Sequence, residues 1–165
     1  MYVIKVSDFL EMTGKPEPHG LLRQKGLLHE WKPGMFVIFV SHQWLGYEHP
    51  DEEAQHACVL RSTLRGMIDG SLNVEADIVT QSYGKRVLFS SETREQVREG
   101  YLFLDWFAIP QITARVEGIN EEVTKSEAAL AVQSIPAYVE VSNLFLALVP
   151  EAIHKERQTH CNYTT

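Results

Sequence analysis

The chain has 165 residues, 44% of them apolar, and a formal charge of −7 from 22 acidic and 15 basic side chains. That length suits one ordinary domain with a single sizeable core, the composition excludes a disordered chain, and the negative balance argues against a nucleic-acid groove, which needs a positive field to gather phosphates. Cys58 and Cys161 are too few for a disulfide framework and point to a reducing, cytoplasmic setting; no stretch approaches the roughly 20 apolar residues of a membrane span, and MYVIKVSDFLEM lacks the layout of a signal peptide, so no membrane contact is expected from this segment.

Residues 1–34 read as an irregular segment packed on the domain, punctuated by Gly14, Pro16, Pro18, Gly20, Gly26, Pro33 and Gly34, with one short helix in GLLRQKGLLHEW. MFVIFVS (35–41) is the clearest strand, apolar at almost every position and therefore covered on both faces, as in the middle of a parallel sheet. After HQWLGYEHPDEE the spacing of Ala57, Leu60, Leu64, Met67 and Ile68 predicts a helix that Gly70 stops. Residues 71–99 read as an insertion, in which KRVLFSS supplies a short strand and SETREQVREG a solvated helix capped by Ser91. YLFLD (101–105) is a second strand. Thr124 and Glu127 have the spacing of a capping box for a helix whose apolar face runs from Ala128 to Val139, with a restart expected near Ser134 because Pro136 removes a backbone donor. LFLALV (144–149) is a third strand, ended by Pro150. Strands alternating with helices imply a parallel sheet with right-handed crossovers.

Three stretches in this order, FVSHQW, LDWFAIPQ and SIPAYVEVSNLFLALVP, resemble the Toll/interleukin receptor (TIR) domain and, more loosely, the fungal heterokaryon-incompatibility domain. The resemblance covers roughly residues 35–150. It implies an α/β fold, a flavodoxin-like three-layer parallel sheet with flanking helices, here truncated after the third core strand, with 151–165 as the start of an incomplete loop. In NAD-cleaving TIR domains a glutamate on the helix after the third strand does the chemistry. The chain reaches HKERQTHCNYTT before any such helix, and Glu151 and Glu156 lie too near the third strand to replace it, so the expected catalytic residue lies beyond the chain end.

A flavodoxin-like order places the first strand between the second and the third, and ligands then bind beyond the carboxyl ends where the topology switches. Ser41, His42, Gln43 and Trp44 on one side and Pro150 to His154 on the other form the expected mouth, joined by Asp105 and Trp106 from the second strand. His42 either hydrogen-bonds a ribose or is satisfied by backbone. Trp44 either stacks on a flat ring or covers the sheet edge. The helix after HPDEE offers its amides to a phosphate, unless Asp51, Glu52 and Glu53 cap it themselves. Asp105 caps the loop that follows. In that loop Trp106, Phe107, Ile109 and Pro110 form an apolar knuckle that meets a partner protein or is buried and fixes the loop. His154, His160 and Cys161 lack the ligand number and pairing of a zinc site, so no metal is expected.

The resemblance therefore implies a nucleotide-binding signalling domain, with NAD as substrate of a complete form and no covalently bound cofactor. The alternative is a non-catalytic adaptor that self-associates, or pairs with other TIR-like domains, through the loop after the second strand. Both need the strands ending at Ser41 and Val149 to lie side by side in one direction. The third strand is also expected to leave a flat apolar edge unless the N-terminal segment or a second copy covers it.

Overall fold

The computed structural model of the chain describes residues 1–72, 74, 78–82, 89–111 and 121–161. In chain order the elements are β1 (Tyr2–Lys5), α1 (Val6–Glu11), α2 (His19–Gln24), β2 (Leu28–Glu30), β3 (Val37–His42), α3 (Gln55–Asp69), α4 (Ile78–Ser82), α5 (Ser91–Glu99), β4 (Tyr101–Phe103), α6 (Asp105–Ala108), α7 (Glu121–Gln133), α8 (Ile135–Glu140) and β5 (Leu144–Leu148).

Among the described residues, five strands form one mixed sheet in the order β2-β1-β4-β3-β5. β3 pairs in parallel with β4 on one side (Val37↔Tyr101, Phe39↔Phe103) and with β5 on the other (Phe39↔Phe145, Ser41↔Ala147, His42↔Leu148). The strands that end at Ser41 and Val149 therefore do run side by side in one direction. Only β1 opposes the rest, pairing antiparallel with both β4 and β2.

The N-terminal segment is thus not irregular. Val3, Ile4, Val6 and Phe9 have no exposed surface, and Val6 donates its amide to Gly100. A four-residue strand and a three-residue strand extend the sheet beyond β4, fastened by core side chains that the surrounding glycines and prolines disguise in the sequence.

The alternation of β3 sorts its side chains onto two faces. Ile38, Val40 and His42 share one face, on which His42 and Leu148 meet His56, Ala57 and Leu60 of α3. Phe39 lies on the other, where its ring stacks between those of Phe103 (4.8 Å) and Phe145 (5.5 Å), and Tyr138 of α8 packs on Phe103 at 5.4 Å. Helices therefore cover both sides of the central strands. Gly70 ends α3 at φ 85°, a left-handed value that favours glycine. Ser134 separates α7 from α8, its amide still turned back to Leu130 and Ala131, and Pro136, which has no N–H to donate, sits in the first turn of α8.

Two expected boundaries move. Ser90, one residue ahead of Ser91, caps α5 by accepting the amide of Thr93 at 3.1 Å. α7 begins at Glu121, three residues before the expected cap at Thr124. Most of the strand expected in KRVLFSS lies outside the described residues.

Candidate functional site

The end of β3 and the start of α6 meet in a cluster of hydrogen bonds. Asp105 follows β4 by two residues, and its carboxylate receives three donors: His42 Nε2 at 2.9 Å, the Trp106 amide at 2.7 Å and Trp44 Nε1 at 2.9 Å. Burial works to raise the pKa of this carboxyl, but the hydrogen bond and charge of His42, with the Trp44 and Trp106 donors, outweigh it and hold the group below the ordinary range.

His42 gives Nε2–H to the carboxylate, and its Nδ1 stands 3.3 Å from Nδ1 of His56. When His42 is neutral that nitrogen is an acceptor, so His56 carries its proton on Nδ1. Burial first, and the neighbouring His42 second, lower the His56 pKa to about 4, which keeps it neutral at ordinary pH.

This arrangement decides between the readings of His42. Its side chain is 3% exposed and both ring nitrogens are engaged inside the protein, so it contacts no ribose directly. Its partner is a carboxylate and not the backbone. Asp105, with a third of its side chain exposed, is the reachable member of the pair.

The phosphate site expected at the start of α3 is already filled. Asp51, 1% exposed, accepts the amides of His56 (3.1 Å) and Ala57 (2.8 Å), the second and third residues of the helix. The Asp51 amide in turn donates to His49 Nδ1, which leaves Nε2–H of His49 to donate to the carbonyl of Pro16 at 3.1 Å. Trp106 Nε1 donates to the same carbonyl at 2.9 Å. These bonds correct the partner surface expected after β4. Trp106, Phe107 and Ile109 are 2%, 0% and 4% exposed, and only Pro110 of the four reaches the surface in part. The knuckle fixes the loop from inside.

Beyond the tips of β3 and β5 the chain builds a cleft from two loops. After β5, Ile153 and His160 form an antiparallel bridge, Gln158 takes φ 54° to turn the chain, and the Cys161 amide returns to Ala152. This turn is stitched to the β3–α3 loop by the Lys155 amide, which donates to Leu45 at 2.7 Å. Between them lies a cavity of about 380 Å³ whose walls include Trp44, Tyr47, His154, Arg157, His160 and Cys161. Arg157 donates from Nε to the Tyr47 hydroxyl at 3.0 Å and holds its guanidinium 5.4 Å from the centre of that ring. Gln43 joins the wall, while Ser41 is half-buried on the strand behind it. A second cavity, of about 370 Å³, lies against the same two loops and collects Glu48, Glu52, Glu53 and Glu156 with Lys155.

Of the six expected ligand residues, Gln43 and Trp44 therefore line a cavity, Asp105 supports Trp44 from behind, and His42 and Trp106 are sealed inside. The sequence reading missed Tyr47 and Arg157, which sit in polar loops with no periodic signal, and His56, a histidine at the second position of α3. Among the described residues, no three His, Cys, Asp or Glu side chains converge as a metal-holding group, and no helix is long and apolar enough to cross a membrane. Comparison with family models, with curated proteins and with solved structures finds no match for the chain.

Proposed function

We propose that the chain is a nucleotide-binding signalling module of TIR-like, flavodoxin-like build, with its ligand over the carboxyl ends of β3 and β5. The observation that carries this reading is the cavity between the two loops at those strand ends, which Trp44 lines together with Tyr47 and with the Arg157 guanidinium that lies over the Tyr47 ring. A nucleotide asks for that combination: an aromatic face for the base and a planar cation for a phosphate. The order β4-β3-β5 supports the reading, because ligands of open parallel sheets gather where the connections diverge. The sorting of charge supports it too. Glu48, Glu52 and Glu53 line the neighbouring cavity, and Glu156, which also lines it, is bonded by the Tyr47 amide at 3.2 Å and faced by His154 Nδ1 at 3.4 Å.

The same lining makes this a proposal of binding by residues 1–165. Cleavage of the nicotinamide–ribose bond needs a carboxylate at the ribose, and the resemblance puts that group on a helix after the third strand, in a complete domain. The test is a titration with NAD and with ADP-ribose, followed by tryptophan fluorescence. Saturable quenching is expected, and Arg157→Gln should raise Kd roughly ten- to hundredfold, the loss of one charge-assisted contact. No fluorescence change at millimolar ligand, or the same Kd in Arg157→Gln, would sink the reading.

A further inference from the structure

One ring nitrogen in the wall of the cavity that Trp44 and Arg157 line has two neighbours with opposite demands. His154 Nδ1 accepts the Arg157 amide at 3.3 Å, and it stands 3.4 Å from a carboxylate oxygen of Glu156. Accepting the amide requires a lone pair on Nδ1, whereas a carboxylate can bond there only to a proton. The two bonds exclude each other. Neutral His154, with its lone pair turned to Arg157, leaves Glu156 to the Tyr47 amide, which donates to the same oxygen at 3.2 Å.

We propose that the cavity is a proton-linked anion site, in which a phosphate-bearing ligand binds with uptake of a proton at His154 Nδ1, and Nδ1–H then donates to Glu156 in place of accepting from Arg157. This inference rests on the nucleotide reading and adds how that site is regulated.

The surroundings suit both states of the ring. His154 is 6% exposed, so an unpaired imidazolium there would be costly, but a carboxylate already lies within reach to pair with it. From the β3–α3 loop, Tyr47 packs on the imidazole with ring centres 5.0 Å apart. From its own turn come Glu156 and Arg157, whose guanidinium is anchored on the Tyr47 hydroxyl at 3.0 Å, while His160 and Cys161 line the same cavity. Lys155 lines the second cavity. The backbone of His154 is bonded at both ends, its amide to Thr159 and its carbonyl from Gln158. The change therefore falls on the ring proton and on the Arg157 amide.

The consequence for a ligand is electrostatic. Arg157 attracts a phosphate into the cavity, and the nearby Glu156 carboxylate opposes it. A proton on His154 offsets that opposition at short range, so proton and phosphate favour each other. By linkage the effect is reciprocal: the ligand strengthens the hold of His154 on its proton by the same factor.

The test titrates the chain with ADP-ribose, whose diphosphate keeps its charge throughout, between about pH 8 and pH 5, the range in which imidazoles change charge. Tryptophan fluorescence reads Kd, and circular dichroism confirms the fold at each pH. Kd should fall roughly three- to tenfold as the pH drops, the effect of one added charge near a phosphate in a partly solvated site. His154→Asn keeps an acceptor for the Arg157 amide but takes no proton, so its Kd should stay flat. His160→Gln, on an exposed residue of the same wall, should keep the slope. A flat or reversed slope in the wild type, or a slope that survives His154→Asn, would overturn the proposal. Absence of ADP-ribose binding at every pH sinks the nucleotide reading and this inference with it, whereas a flat Kd sinks this inference alone. Should His154→Asn unfold, nuclear magnetic resonance of the wild type takes its place. The His154 ring signals must then show Nδ1 gaining a proton as the pH falls, and the Arg157 amide signal must move in step. An Nδ1 that gains no proton, or an Arg157 amide that does not follow it, would overturn the proposal.

Discussion

His42 and Asp105 face each other across 2.9 Å at the carboxyl ends of neighbouring parallel strands, the imidazole sealed inside and the carboxylate partly open. Asp105 collects three donors, so replacing it with Asn removes the charge and sets amide hydrogens against some of them. Asp105→Asn should cost about 1–2 kcal/mol at neutral pH, a figure already reduced for the exposure of the group. Urea denaturation of the two proteins measures it. The folded-state pKa of Asp105 lies below its ordinary value of 3.8, so its contribution is present above that pH and is lost as pH falls through the lower folded value. The gap between wild type and Asp105→Asn should be flat from pH 7 to about 5 and close in stronger acid. A gap that widened on acidification would contradict the assigned bond.

His56 works in the opposite range. Its pKa falls from 6.5 unfolded to about 4 folded, because burial penalises the cation. The unfolded chain therefore takes up the proton first, and stability should decline as pH drops from 6.5 towards 4, by on the order of 2–3 kcal/mol for this residue. His19 and His49, also lowered by burial, add to the same trend. His56→Phe, which cannot titrate, should decline less steeply over that window. Parallel slopes for the two proteins would show that His56 is not the group responsible.

Gly100 joins α5 to β4 where the chain has no room. A Cβ there would stand 2.7 Å from the Gln96 carbonyl oxygen and 3.1 Å from both the Phe36 ring and its carbonyl. Backbone atoms cannot yield as a flexible side chain can, so Gly100→Ala should destabilise by about 1–3 kcal/mol. Thermal and denaturant unfolding would show it, and an unchanged midpoint would mean that the turn is looser than drawn.

The cap of α5 separates two adjacent serines. Ser90→Ala removes the acceptor of the Thr93 amide and should cost about 1 kcal/mol, whereas Ser91→Ala, inside the first turn, should be close to neutral. The reverse result would return the cap to the residue that the sequence suggests.

What could be read in the sequence follows from the range of the forces involved. The three parallel strands were legible because each is a run of bulky apolar residues needing cover on both faces, and α3 because its apolar period ends at Gly70. β1 and β2 were not, since four and three residues carry no period: β1 pairs with Leu102 and Tyr101, about a hundred residues away, and β2 joins the sheet only through β1. Asp51 was recognised as a cap or a rival to phosphate, but only its engagement with His56 and Ala57 decides which. The buried knuckle at Trp106 was undecidable for a similar reason: its indole bonds to a carbonyl 90 residues earlier. Trp44 lines a cavity beyond the end of β3, and Arg157, which lines the same cavity, lies in a loop whose shape comes from turning back on itself.

The carbonyl of Pro16 takes hydrogen bonds from two separate parts of the molecule, His49 before α3 and Trp106 after β4. One peptide oxygen thus serves as a rivet through three layers of chain. A shortened protein starting at residue 35 would keep the whole parallel core yet strand two inward-facing N–H groups, so the unit that folds includes its unpromising first 34 residues.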